Sequence, residues 1–113
     1  VWPLYYIFND PSLDSVTASY DAVVSDVLQI SHIGTLREIM MKVALDAGHN
    51  STVVTLSGGA KFAPMHIQVT PMGSGTTVFN LVTWNDTGPT LEISLAESGT
   101  GGMCMLRVIG VDS

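Results

Sequence analysis

Apolar and polar positions alternate through most of the second half of the chain, and clusters of glycine, serine and proline interrupt the alternation. The runs STVVTL, MHIQVT, TTVFNLVTW, TLEISLA and MCMLRVIGV are short and rich in β-branched residues, and SGGAKFAP, PMGSG, NDTGP and ESGTGG separate them. A period of two between turn signals predicts strands, at the spacing of antiparallel meanders and sandwiches. In TTVFNLVTW the alternation sets Val78, Asn80, Val82 and Trp84 against Phe79, Leu81 and Thr83. In TLEISLA it sets Leu91, Ile93 and Leu95 against Glu92, Ser94 and Ala96, so one face of that strand meets water. MCMLRVIGV is apolar on both faces except at Arg107 and Gly110, the pattern of a central strand or of one shared between a core and an interface.

The first half carries mixed periods. TASYDAVVSDVLQI, from Thr17 to Ile30, fits a helix face through Tyr20, Val23, Val24, Val27 and Leu28, yet its valines suit a strand, and it is read as strand. TLREIMMKVALDAG predicts one short helix over about 36–47: Thr35 and Glu38 have capping-box spacing, Gly48 stands where a left-handed stop belongs, and Leu36, Ile39, Met40, Val43 and Ala47 fall on one face. The alternative is a strand in which Ile39, Met41, Val43 and Leu45 alternate with Glu38, Met40, Lys42, Ala44 and Asp46, followed by a hairpin turn at Gly48-His49-Asn50. The opening VWPLYYIFND reads as a strand with both faces apolar and Pro3 near its start, and Asn9 to Ser15 reads as a turn.

Composition narrows the class. With 113 residues and 46% hydrophobic content the chain suits one continuous core, so a single domain over 1–113 is expected. The apolar beginning lacks a preceding Met and a basic flank and ends at Asn9-Asp10-Pro11, which fits neither a signal peptide nor a membrane span; the expectation is a piece of a longer polypeptide. Charged residues make up 12%, about half the ~25% of an average globular domain, so much of the surface is Ser, Thr, Gly and Asn and suits packing against other copies. The net charge is −6 and the four cations, Arg37, Lys42, Lys61 and Arg107, are scattered, which argues against a nucleic-acid partner for this domain. The single cysteine, Cys104, excludes an internal disulfide and sits in an apolar run where a buried thiol is expected.

Catalytic constellations are not legible. His32, His49 and His66 have no partner at a recognised ligand spacing, and PMGSG has Met72 where a nucleophile elbow needs its first glycine. ESGTGG and LSGGAK do not open helices after strands and read as turns rather than phosphate cradles. No enzyme activity, cofactor or dedicated metal site is therefore expected. Asp10 and Asp14, with Asn9, are weak calcium candidates without the acidic spacing of a dedicated loop, so a solvated turn is the preferred reading. Asn50-Ser51-Thr52 and Asn85-Asp86-Thr87 are formal glycosylation acceptors. Trp84 beside Asn85 and Asp86 forms the candidate ligand patch: an amphipathic ring next to hydrogen-bonding groups suits a sugar, against the commoner role of Trp at a core edge.

With the aromatic start VWPLYYIFND, the Ser/Thr/Gly-rich loops and the ending MCMLRVIGVDS, the chain resembles the protruding domain of a small icosahedral RNA-virus capsid protein. The likeness is to the spike domains of nodaviruses, those infecting shrimp among them, and more distantly to tombusviruses; it is one of pattern over nearly the whole length, with no signature motif. The resemblance implies a mainly β, antiparallel sandwich or jelly-roll-like domain, hinged to a shell domain, pairing as a homodimer on the virion surface and meeting a host receptor or glycan, without membrane insertion. The alternative expectation is a secreted or cell-surface carbohydrate-binding or adhesin-like β domain.

Overall fold

The computed structural model describes residues 15–20, 22–46, 48–72, 79–98 and 102–111. These form β1 (Val16–Ala18), β2 (Val23–Ile33), β3 (Leu36–Leu45), β4 (Ser51–Ser57), β5 (Ala63–Met72), β6 (Phe79–Thr87), β7 (Thr90–Glu97) and β8 (Gly102–Val111), with a 3-10 turn at Gly58–Ala60. The strands make two antiparallel four-stranded sheets, β1-β4-β7-β6 and β2-β3-β8-β5, packed face to face as the expected β-sandwich. The opening VWPLYYIFND, with its strand reading, lies outside the described residues.

Alternation builds the core. Burial switches at every second residue along β3, β7 and β8. Ile39, Met41 and Val43 of β3 and Cys104, Leu106 and Val108 of β8 face Val54 and Leu56 of β4 and Leu91, Ile93 and Leu95 of β7, with Phe62 buried in the same cluster. As the sequence pattern indicated, MCMLRVIGV is central, hydrogen-bonded to β3 on one side and β5 on the other.

The helix expected over 36–47 does not form: residues 36–45 are β3. Met, Leu, Lys, Glu, Arg and Ala favour a helix by only a few tenths of a kcal/mol each. Burying each of Ile39, Met41, Val43 and Leu45 from one strand face contributes about 1.5–3 kcal/mol, so tertiary burial outweighs propensity. Thr35 caps nothing; it is the second residue of the Gly34-Thr35 turn between β2 and β3. Gly34 has φ +60 and Thr35 is not left-handed, the pattern of a type II′ hairpin. The turn near Gly48 does exist, closed by the His49 N–H donating to the Asp46 carbonyl at 3.0 Å, but it carries the chain from one sheet to the other.

The strand order has an internal two-fold character. Reading the first sheet as β6-β7-β4-β1 and advancing each strand by four positions in the chain gives β2-β3-β8-β5, the second sheet. Each half is an edge strand, a hairpin in the opposite sheet, and a strand that returns beside the first. Both hairpins turn on a left-handed glycine, Gly34 at φ +60 and Gly88 at φ +59. The corner between β1 and β2 is held by Ser19, whose N–H donates to Val53 O at 3.1 Å and whose Oγ accepts from Val53 N–H at 2.8 Å.

Candidate functional site

Strands β5 and β6 are the edges of their sheets on the same side of the sandwich, and each is bulged. In β5 the register slips between Pro64 and His66, leaving Met65 extra; in β6 it slips between Leu81 and Thr83, leaving Val82 extra. The two extra residues are thrown outward, Met65 to 71% exposure and Val82 to 62%. A bulge also reverses the alternation beyond it. Trp84 therefore pairs with inward-facing Ile93, and Asp86 with inward-facing Leu91, on the side shared by Phe79 and Leu81. This corrects the sequence reading that set Trp84 on the face opposite Phe79 and Leu81.

The result is a groove of about 230 Å³ between the sheet edges, lined by Pro64, Met65, His66, Ile67, Leu81 and Trp84. Trp84 is 47% exposed there. On the same side of β6, Asp86 accepts an ion pair from Lys61 at 2.8 Å, with both side chains mostly buried. Asn85 pairs with Glu92 and belongs to the opposite face. Of the sequence-predicted patch, Trp84 and Asp86 thus share a side and Asn85 does not. Lys61, Pro64, Met65, Ile67 and Leu81 were missed, although the proline in KFAPM is a usable signal for an irregular edge strand. Asp10 and Asp14 lie outside the described residues, and among the described residues no three His, Cys, Asp or Glu side chains gather as a metal set.

The internal two-fold relates this groove to the β1–β2 edge, where Val16, Ala18, Val24 and Val27 pack against the core. One edge is filled with small branched side chains. The other holds the indole of Trp84, so the opening comes from the side chains and not from the strand order.

A second surface is the outer face of β2-β3-β8-β5. The register sets it out in rows: Val23, Ala44, Met103 and Met72; then Ser25, Lys42, Met105 and Thr70; then Leu28, Met40, Arg107 and Gln68. Glu38 and Ile109 continue it. Its charges are satisfied locally: Arg107 Nε donates to Glu38 Oε2 at 2.6 Å, and Lys42 Nζ lies 3.1 Å from Asp26 Oδ2. What remains is mostly methionine and aliphatic carbon.

Cys104 faces the core between these surfaces and is fully buried. Burial, reinforced by the charge of Glu97, pushes its thiol from the ordinary 9.0 up to about 12. The thiolate is the reactive form and the sulfur is shielded, so alkylation at pH 8 should run far slower in the folded protein than in denaturant. The sign for stability follows: with the folded pKa raised, this contribution is intact below pH 9 and is lost as pH climbs toward 12. Urea melts at pH 8 and pH 11 should show a smaller pH-dependent loss for Cys104→Ala than for the wild type. Equal losses would remove Cys104 as the cause.

No protein-family model, curated protein or solved structure matches this chain.

Proposed function

We propose that this chain is a non-catalytic structural and attachment module that self-associates through the outer face of β2-β3-β8-β5, in the manner of a virus-capsid protruding domain displayed on a particle surface. The observation that supports this reading is that face itself, with Met40, Met72, Met103, Met105 and Ile109 around two internally neutralised ion pairs. Four strands about 4.8 Å apart and ten residues long present on the order of 600 Å². A stable dimer needs roughly 800 Å² per partner, so the face is of the right scale for a second copy. Contact through faces is favoured over edge pairing, because β2, β5 and β6 are bulged and β1 is three residues long, features that discourage strand addition. Sedimentation velocity over increasing concentration should show the chain passing to a dimer, and Met105→Glu with Ile109→Glu should weaken it at least 100-fold while leaving the core intact. A wild-type chain that stays monomeric at millimolar concentration would end this reading.

The attachment part has its own support in the groove: a half-exposed indole beside a partly buried ion pair suits a pyranose, whose apolar face stacks on Trp84 while its hydroxyls bond to polar groups. This is equally the basis of the second reading, a carbohydrate-binding or adhesin-like domain. On a glycan array Trp84→Ala should lower binding at least tenfold. Unchanged binding in that variant would remove Trp84 from the site.

A further inference from the structure

We propose that Met72, Met103 and Met105 form a three-thioether site for a soft monovalent cation, Cu(I) in a reducing setting, on the outer face of the second sheet. The inference stands on strand register and not on self-association, but it uses methionines of the face proposed to pair, so the ion binds the unpaired chain and the titration is run at concentrations where sedimentation shows a monomer. Met103 of β8 is directly opposite Met72 of β5 and Ala44 of β3, while Met105, two residues on, lies opposite Thr70 and Lys42. Opposite residues in an antiparallel pair have Cβ atoms about 5 Å apart, and same-face residues along one strand are roughly 7 Å apart. A methionine side chain is unbranched, with three rotatable bonds, so its sulfur can swing across these gaps and the three sulfurs can converge above the sheet. Ala44 beside Met103 is small and does not fill that space.

Donor type decides the ion. Thioethers are neutral and soft, and they select Cu(I) over hard divalent ions that require carboxylate or water oxygens. The row that holds Met72 and Met103 contributes no carboxylate or imidazole, its other members being Ala44 and Val23. The nearest cation, Lys42, is drawn to Asp26 at 3.1 Å, which offsets its repulsion of a bound ion. Strand alternation also keeps the one thiol out: Cys104 lies between Met103 and Met105 in sequence but points into the core and is fully buried. Met103 is 40% exposed, so an ion can arrive from solvent without unfolding.

Silver(I) is a redox-inert probe of the same donor preference. Titrated into the whole chain in chloride-free buffer and followed by calorimetry and native mass spectrometry, it should bind at one ion per chain. Met72→Leu and Met103→Leu, which keep volume and apolarity, should each weaken binding at least tenfold; the double variant should abolish it, and Cys104→Ala should leave it unchanged. In wild-type protein carrying labelled methionine methyl groups, the resonances of Met72, Met103 and Met105 should move with silver while that of buried Met41 stays, a readout that needs no substitution. Absence of stoichiometric binding, retention in the folded double variant, or loss in Cys104→Ala would overturn the site.

Discussion

Gly110→Ala is expected to destabilise the folded state by about 4 kcal/mol or more. A Cβ at Gly110 would overlap the carbonyl oxygen of Ala63 and lie 2.8 Å from the Cα of Pro64. Both are backbone atoms, so no side-chain rotation relieves the overlap. Strand β5 must part from β8 at its first residues, where Ala63 pairs with Val111 and Pro64 with Gly110. Overpacking with forced backbone separation at a buried site belongs to the severe class, about 4 kcal/mol or more, a large share of the ~5–15 kcal/mol that holds an ordinary domain together. The same approach sets the beginning of the bulge that ejects Met65 and opens the groove. Urea denaturation followed by circular dichroism would check this, and a Gly110→Ala protein with the wild-type midpoint would show that the strands do not meet so closely.

Phe62→Ala is expected to cost about 3–5 kcal/mol, the range for deleting a large buried aromatic. Phe62 is fully buried where the chain crosses from β4 to β5, and the Arg37 guanidinium carbon lies 5.1 Å from its ring centroid. Arg37 is itself buried, and its Nη2 donates to Gln29 Oε1 at 3.2 Å and to the Gly59 carbonyl at 3.0 Å. Truncation therefore leaves a cavity and also strips an aromatic face from beside a desolvated cation. Phe62→Leu, which fills most of the volume but loses the ring, should fall between the two proteins. If the Leu variant matches wild type in chemical denaturation, the cation–π contact contributes nothing measurable and the effect of Ala is cavity alone.

The strands of the second half were readable because each is bounded by glycine or proline and has one face that needs burial: TLEISLA shows its inward Leu91, Ile93 and Leu95 without ambiguity. The centrality of MCMLRVIGV was legible for a different reason, apolar residues on both of its faces. TLREIMMKVAL was not, since its residues are good helix formers and its four apolar positions at helical spacing, Leu36, Ile39, Met40 and Val43, overlap a period of two at Ile39, Met41, Val43 and Leu45. Only partners on both sides decide between the periods: β2 is joined to β3 by the Gly34-Thr35 turn, but β8 is distant in sequence. The groove was half legible. Trp84 and Asp86 stood out by type, but the side on which they emerge depends on the bulge at Val82, and a bulge leaves no mark in a run such as TTVFNLVTW. Lys61 reaches Asp86 from 25 positions earlier in the chain, beyond any local pattern.

The exchange of returning strands between the halves governs when this polypeptide can acquire its shape. β3 needs β8, and β4 needs β7, so neither the first nor the second set of four strands owns a complete sheet. Closing such distant ladders is entropically slow, on the millisecond-to-second scale of all-β domains. A ribosome-bound chain would have to emerge through Val111 before the middle of the second sheet is occupied, so early intermediates would carry a gap beside β3 and a strong tendency to borrow a strand from a neighbour.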